Sequence, residues 1–372
     1  MGRATHEDAV SHQFEEFTGW RKWLFNVLPR PKGPLHQYSQ PVKRVLVITR
    51  LPNPTFDYYL AERLEALEGI PFHVHSITDK TAPTVEAKST YVIVCRYIDG
   101  ASLSWLEKNS AQLAGVSLFL DDDIPAVVSA PNVKLTFKLY VWKLGLYPLK
   151  RLNKLLSEVL VSTQELASIY QRFGATVRVL PPMPKAEFKP PANPNDKTVK
   201  IAFHATGVHH IEHEFLKPII EDVLAEFENV QFELFANNDM AKYWRKANIK
   251  PQQLLIEPIL KWPDYLNHVE QNPADIALVP MMRQFINAGR SDTKRIDVAR
   301  MGAAPIFSKN SIYSRCAKPE EFHIENNPAL WAKSIRALIT DVEKRRSAAV
   351  AAQASLQTMR SRAFESGSII KY

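Results

Sequence analysis

Short β-branched apolar runs recur along this chain, each followed by a stretch whose apolar positions return every three or four residues. Arg44-Val-Leu-Val-Ile-Thr49 opens the series. A run that is apolar at successive positions, not alternate ones, is buried on both faces, which is the condition of a strand inside a parallel sheet. Phe72–Ile77, Tyr91–Cys95, Val116–Leu120, Val159–Ser162 and Thr176–Leu180 read the same way. After the first run, Asp57-Tyr-Tyr-Leu-Ala-Glu-Arg-Leu-Glu-Ala-Leu-Glu-Gly69 has helical spacing and a glycine to stop it. Strands alternating with helices predict a doubly wound parallel sheet. The stretch Pro181-Pro-Met-Pro-Lys-Ala-Glu-Phe-Lys-Pro-Pro-Ala-Asn-Pro194 can continue neither element and predicts an interdomain linker.

The pattern then restarts. Thr198–Phe203, Val230–Phe235, Leu254–Glu257 and Ile276–Val279 are the expected strands, with helices over Ile211–Phe227 and Trp262–Val269 and further helix after about Trp331. The fold class predicted is α/β, with two doubly wound Rossmann-like domains and a ligand cleft expected between them. The organisation reads as an N-terminal extension over 1–40, one domain over 41–185, a linker over 186–197, a second domain over 198–345 and a closing helix over 346–372.

The most informative segment follows the Ile276–Val279 run: Asn287-Ala-Gly-Arg-Ser-Asp-Thr-Lys-Arg-Ile-Asp-Val-Ala-Arg-Met-Gly-Ala-Ala-Pro-Ile306. It predicts a loop, a short charged helix over about Asp292–Met301 and a buried strand. Ser291 is the expected N-cap, Asp292 an anion in the first turn, and Gly302 the stop. Lys294 and Asp297 share a helix face, with Arg290 just ahead of the N-terminus. Cations and unpaired N–H groups there suit a phosphate, and a carboxylate one turn deeper suits ribose hydroxyls. The plainer alternative is a solvated helix whose Lys294 and Asp297 only pair with each other.

This segment resembles the donor-sugar motif of the family-4 group of GT-B glycosyltransferases, in the variant Lys-Ser-x-x-Lys-x-x-Glu-x-x-x-x-Gly-x-Pro. The matching residues are Arg290, Ser291, Lys294, Asp297 and Gly302, with Pro305 one place late. The likeness extends, with less specific motifs, over most of residues 41–310. It implies an acceptor-side first domain, a nucleotide-sugar-binding second domain and a last helix returning to the first. It also implies that Asp297 binds the nucleotide ribose, that Arg290 and Lys294 neutralise the diphosphate, and that transfer is retaining and independent of metal or other cofactor. Two departures stand out. Asp297 replaces a glutamate, and the earlier acid of the usual Glu-x7-Glu pattern falls at Gly289, so backbone N–H groups around Ala288 and Gly289 are expected to meet the donor sugar.

Three further segments carry candidate chemistry. Asp121-Asp122-Asp123 follows the Val116–Leu120 run, at the carboxyl end of a strand where open α/β sheets bind ligands. In the resembling family a His or His-Asp commonly stands there, so Asp121 or Asp122 is the expected replacement. A divalent-cation site and a turn with an N-cap are the alternative readings of three carboxylates. His204-Ala-Thr-Gly-Val-His-His-Ile-Glu-His-Glu214 joins the first strand and helix of the second half, and the family's Gly-Thr-x-x-His pattern points to Thr206, Gly207 and His209 as donor-binding. His209 and His213 have i, i+4 spacing, but no His-Glu-x-x-His order accompanies them, so no metal is expected. In Thr49-Arg-Leu-Pro-Asn-Pro-Thr-Phe-Asp57, Arg50 and Asn53 are the expected acceptor-binding residues.

Composition adds a location. Hydrophobic content of 45% over 372 residues suits a globular two-domain protein, no apolar run approaches a bilayer span, and no signal-peptide pattern opens the chain. Two cysteines imply no disulfide framework, and Cys95 reads as a buried strand residue, so the cytoplasm is the expected compartment. The net charge of +8 is concentrated. Phe14, Phe17, Trp20, Leu24 and Leu28 form one helical stripe beside Arg21, Lys22 and Arg30. Lys134 to Lys154 interleaves Lys138, Lys143, Lys150 and Arg151 with Phe137, Tyr140, Trp142 and Tyr147. Both segments suit peripheral contact with an anionic membrane, the inner face of the plasma membrane, or, more simply, packing on the first domain. No nucleic-acid motif accompanies the charge, and no nucleic-acid partner is expected. The reading is therefore a glycosyltransferase of the hexosyl type, with a nucleotide-sugar donor and a saccharide or lipid-linked acceptor of bacterial polysaccharide or glycolipid kind. A sugar-nucleotide epimerase of the same fold and a non-catalytic membrane-bound interaction protein are the alternatives.

Overall fold

The structure is a computed structural model that describes residues 16–186, 198–205 and 209–370. The chain forms two compact units. The first takes in the chain up to Pro184, Gln284–Ser291 and the chain from Ser361 onward; the second takes in Lys185–Arg283 and Asp292–Arg360.

In the first unit, β1 (Arg44–Thr49), β2 (Phe72–Ser76), β3 (Thr90–Cys95), β4 (Gly115–Leu120), β5 (Glu158–Val161) and β6 (Val177–Val179) form one sheet in the order β2-β1-β3-β4-β5-β6. Every pairing is parallel, with Val45 opposite both Phe72 and Tyr91. Val45, Val47, Val92, Val94, Val159 and Val161 are buried on the two faces of the sheet, which is why these runs lack polar alternation. Because β2 and β3 flank β1, the strand order reverses at β1, the kind of switch point whose carboxyl end is the usual ligand position in open α/β sheets.

In the second unit, β7 (Val199–Phe203), β8 (Val230–Ala236), β9 (Leu254–Pro258), β10 (Ile276–Val279), β11 (Ala304–Ser308) and β12 (Phe322–Ile324) order as β12-β11-β10-β7-β8-β9, again all parallel. The switch point lies between β7 and β10, where Ile201 stands opposite Ile276. Both sheets are the doubly wound type expected, and the runs of β-branched residues became strands within a residue or two of their predicted ends.

Several elements depart from expectation. The helix expected over 57–69 begins at Pro54, where Asn53 Oδ1 accepts from the Thr55 N–H at 3.0 Å, widens into a π turn over Asp57–Ala61 and ends at Glu65. Helices Gly100–Asn109 and Asn238–Trp244, capped by Asp99 and Asn237, and the edge strand β12 were not foreseen. The N-terminal helix covers Gly19–Val27, and the inward side keeps Phe17, Leu24 and Leu28 of the predicted stripe but adds Phe25 and turns Trp20 out. Phe17, Phe25 and Leu28 are buried, and Phe17 and Phe25 meet the ring of Phe285 at 4.5 and 5.1 Å. Trp20 points outward instead, Leu24 is half-buried, and Phe14 lies outside the described residues.

Candidate functional site

In the second unit the charged segment becomes a helix over Thr293–Met301, ended by Gly302 in the left-handed conformation at φ 71°. Only glycine takes that φ without a Cβ clash, so the stop falls where the sequence placed it. The N-cap is Asp292 and not Ser291, a correction of one residue. What fixes the helix is Arg295, a residue the sequence did not single out. Fully buried, it reaches Asp292 Oδ2 at 2.7 Å, the Tyr313 carbonyl at 2.6 Å and Glu321. Burial pushes the Asp292 carboxyl up to about 6 against the pull of Arg295.

Asp297 and Lys294 do share a face. Asp297 is buried and receives Arg300 Nη1 at 3.0 Å, with Lys294 Nζ at 3.5 Å from its other oxygen. Lys294 Nζ also donates to the His204 carbonyl at 3.1 Å, which ties the helix to the loop after β7, at the switch point. Beneath that loop lies a buried polar network. His204 Nε2 donates to Glu233 Oε1 at 2.9 Å, Lys200 Nζ stands 2.7 Å from Glu233 Oε2, and His268 Nε2 lies 3.2 Å from Oε1. Burial acts to raise the Glu233 carboxyl, but the bonds from His204 and Lys200 outweigh it and hold it down at about 2. Burial in turn lowers the His204 imidazole, partly offset by Glu233. Trp262 and Tyr265 stack at 5.5 Å, and Arg300 lies over Trp262. The signals for this network were present: Glu233 interrupts the apolar run of β8, and Arg300 stands one turn after Asp297.

Thr206 and Gly207 lie outside the described residues. His209 precedes the helix His210–Glu226 and pairs with Glu212 at 3.6 Å. His213, one turn on, is a core residue: it accepts from Trp244 Nε1 at 2.9 Å, and burial pushes its imidazole down to about 4. Among the described residues no cluster of three or more His, Cys, Asp or Glu side chains is placed to hold a metal ion.

In the first unit the three aspartates divide their work. Asp123 is the N-cap of the helix Ile124–Ser129, accepting from the Ala126 N–H at 3.3 Å, as the turn-and-cap reading expected. Burial pushes its carboxyl up to about 6, with Arg30 opposing. Asp121 and Asp122 instead grip Arg96, which the sequence analysis overlooked. Arg96 Nε lies 3.1 Å from Asp121 Oδ1, and Nη2 lies 2.5 Å from Asp122 Oδ2. Thr55 Oγ1 donates to Asp121 Oδ2 at 2.8 Å and receives Arg96 Nη1 at 3.2 Å. Arg96 adopts φ 66°, a left-handed backbone that costs a side-chain-bearing residue about 1–2 kcal/mol and persists because the carboxylates over-determine it. A basic residue directly after a wholly apolar strand was the available signal.

Arg290 sits with this unit, its Nε 3.9 Å from Asp122 Oδ1. Ser291, expected to face the donor, is buried and hydrogen-bonded to the Tyr59 hydroxyl. The Gly289 carbonyl accepts from Thr163 Oγ1 at 2.9 Å, and a Cβ on Gly289 would meet Leu166 Cδ1 at 3.0 Å. Asn53, expected at the acceptor, turns inward: its amide donates to Thr49 Oγ1 at 3.0 Å. Arg50 is exposed with its guanidinium 5.4 Å over the Tyr140 ring. A separate concavity of about 690 Å³ borders β12 and the start of the last helix, lined by Glu320, His323, Asp341 and Lys344; none of the expected site residues lines it.

No protein-family model matches this chain. No curated protein matches it either. Solved structures do. The crystal structure of TarM has 11% identity, a TM-score of 0.53, and covers 75% of this chain and 55% of its own. An O-GlcNAc transferase of Thermobaculum terrenum has 10% identity and a TM-score of 0.52, covering 91% of this chain and 69% of its own. The N-terminal domain of the Candida albicans trehalose-6-phosphate phosphatase has 10% identity and a TM-score of 0.53, covering 90% of this chain and 98% of its own. The fold is therefore the two-domain GT-B type that the donor motif implied. This chain spans about half the length of the TarM chain.

Proposed function

We propose that this protein transfers a sugar from a nucleotide-activated donor to a saccharide or lipid-linked acceptor. The observation that carries the reading is the placement of Lys294 and Asp297 on one helix face at the β7–β10 switch point, with Lys294 bridging to the loop after β7. That is where a doubly wound sheet binds a nucleotide. Asp297, buried and paired with Arg300 and Lys294, is the acceptor for ribose hydroxyls. Lys294 and Arg290 act on the diphosphate, whose negative charge grows as the glycosidic bond breaks, so their contribution is greatest in the transition state. His209, Thr206 and Gly207 complete the donor side in this reading. With two such cations the diphosphate needs no metal, and retention of configuration follows the resembling family. Asp122 is the carboxylate assigned to the sugar or acceptor hydroxyl, oriented by Arg96, while Asp121 supports it through Thr55. Arg50, over its aromatic platform, is assigned to the acceptor.

The neighbours support the donor class. A variant of S. aureus TarM was solved in complex with Fondaparinux, alpha-GlcNAc-glycerol and UDP, at a TM-score of 0.51 and 12% identity to this chain. Thermal-shift screening of nucleoside diphosphates and nucleotide sugars tests the proposal. A ligand at 100 times its dissociation constant adds about 2.7 kcal/mol of stability. Donor consumption that requires a saccharide acceptor would separate transfer from epimerisation, which needs none. No shift with any of these ligands would overturn the reading.

The proposed setting is peripheral, at the inner face of the plasma membrane. No helix among the described residues is long and apolar enough to cross a membrane.

A further inference from the structure

The N-terminal helix Gly19–Val27 has two apolar sides, and the protein uses one of them. Phe17, Phe25 and Leu28 are buried, Phe17 and Phe25 against Phe285, and Arg30 seals that side by donating to the Phe25 carbonyl at 2.6 Å and lying 3.4 Å over Phe173. The other side carries Trp20 and Trp23, 62% and 65% exposed, and Val27. Core packing explains none of these three. The segment from Leu135 to Tyr147 repeats the situation: Val141 and Leu146 are buried, whereas Leu135, Leu139, Trp142 and Tyr147 are exposed, Leu135 to 70%.

The two segments are neighbours within the first unit. Helix Gly19–Val27 packs on Ile124–Ser129, which packs on Leu135–Val141. Burial lowers the Lys138 ammonium, and the nearby charge of Arg21 lowers it further. Arg21 Nε is buried with no hydrogen-bond partner among the described residues. The surrounding sequence is strongly cationic. Between Asp123 and Glu158 it has Lys134, Lys138, Lys143, Lys150, Arg151 and Lys154 and no carboxylate, and between Glu16 and Asp57 it likewise has none. Within these stretches Arg151 pairs with Glu107 at 2.5 Å, Arg44 with Glu86 at 2.6 Å and Lys22 with Glu16 at 3.4 Å.

We infer that these two segments form one docking surface for an anionic lipid bilayer, with Trp20, Trp23, Leu135, Leu139 and Trp142 entering the headgroup boundary and Arg21, Lys134, Lys138 and Lys143 meeting lipid phosphates. Indole rings sit at the headgroup level because one edge is apolar and the N–H wants a polar partner, and basic residues near an anionic surface add electrostatic attraction. Apolar and cationic groups interleaved on one face suit a charged bilayer better than a protein interface, whose core is depleted of charge. Nucleic acid would take up the cations but would leave exposed Leu135 and Leu139 in water. The inference supplies the membrane contact of the transferase reading and rests on it for biological purpose, not for its physics.

Sedimentation of the full chain with phosphatidylcholine vesicles, alone and with about one third phosphatidylglycerol, tests it. Binding is expected only with the acidic lipid, weakening as salt rises, with a blue shift of tryptophan emission. The pair Trp20→Ser and Trp23→Ser, the pair Leu135→Ser and Leu139→Ser, and the set Lys134→Gln, Lys138→Gln and Lys143→Gln should each weaken vesicle binding about tenfold or more. Because all of those side chains but the half-buried Lys138 are exposed, the thermal midpoint and the nucleotide-induced shift should stay at the parental values. Nucleotide binding without vesicle binding would overturn this inference alone, and vesicle binding without nucleotide binding would overturn the transferase reading alone. Equal binding to neutral vesicles, a light-scattering dimer abolished by the tryptophan changes, or tight binding to RNA with none to vesicles would each overturn the docking surface.

Discussion

Asp121–Asp122 in the first unit and Asp297 in the second are carboxylates at the carboxyl ends of doubly wound sheets, and they are held in opposite ways. Arg96 grips the first pair at 3.1 and 2.5 Å from a left-handed backbone, with Thr55 filling a further lone pair. Asp297 takes its cations at 3.0 and 3.5 Å, and Lys294 keeps a side chain 36% exposed. A short, strained, enclosed clamp fixes a carboxylate in place. A looser pair with one exposed cation can exchange its partner for a ligand. The difference teaches that the charged helix face and the plain ion pair are not competing descriptions: Lys294 and Asp297 do pair, and in the proposed function a diphosphate and a ribose would replace that pairing.

The sharpest way to break this comparison is Arg96→Gln, which leaves two neighbouring carboxylates without their cation. A loss of about 3–5 kcal/mol in unfolding free energy is expected. Burial already raises Asp121, with Arg96 opposing. Without Arg96 its folded-state pKa rises further, so stability is lost as pH climbs through it, and the deficit should be larger at pH about 8 than at about 5. Lys294→Ala, by contrast, should change unfolding by no more than about 1 kcal/mol. Equal losses in urea titrations would erase the distinction drawn here.

On the catalytic side the ranking reverses. Lys294→Ala and Arg290→Ala should each lower turnover by about 2–4 kcal/mol of barrier while changing donor affinity less, and activity should survive EDTA. Matching losses in turnover and ground-state affinity would reduce both to anchors, and inactivation by chelator would hand the chemistry to a metal at Asp121–Asp122. Asp297→Ala should weaken nucleotide binding by about 1.5–3 kcal/mol in calorimetry, ten- to hundred-fold, while Asp121→Ala leaves that affinity alone. An unchanged affinity in the Asp297 variant would remove it from the donor site.

The smallest effects lie in pH dependence. Asp123, at about 6, has a folded pKa above its unfolded value, so its contribution is complete below about 4 and disappears as pH rises through about 6. Glu233, at about 2, behaves in the opposite sense: its contribution is present above about 4 and is lost as pH falls through about 2. Asp123→Asn should flatten the decline between about pH 4 and 6, and Glu233→Gln should remove the loss seen below about pH 4. Denaturation curves at several pH values decide the matter.

Much of this architecture was legible in the chain because burial on both faces of a parallel strand leaves a nearly unbroken apolar run, as in Val45–Ile48 and Ile276–Val279. The stop at Gly302 and the shared face of Lys294 and Asp297 were legible for the same local reasons. What escaped depended on distant residues. In Gly19–Val27, Trp20, Trp23, Leu24, Phe25 and Val27 surround the helix almost completely, so periodicity offered two inward faces; Phe285, far along the sequence, selects Phe25. Ser291 looked like a cap until Tyr59 claimed its hydroxyl. Asn53 read as an acceptor-binding residue, whereas its amide turns inward to Thr49. Arg96 had no local motif, since its meaning comes from carboxylates on the neighbouring strand's end.

Gly289 stands where the resembling family's motif carries its first acid, and Leu166 lies against that position. A Cβ there would meet Leu166 Cδ1 at 3.0 Å, so the leucine side chain would have to give by a few tenths of an ångström. A longer side chain asks more of the same packing, and glutamate there is expected to cost about 1–3 kcal/mol unless Leu166 is made smaller. The place where an acid is missing is thus also a place where a neighbouring side chain rests.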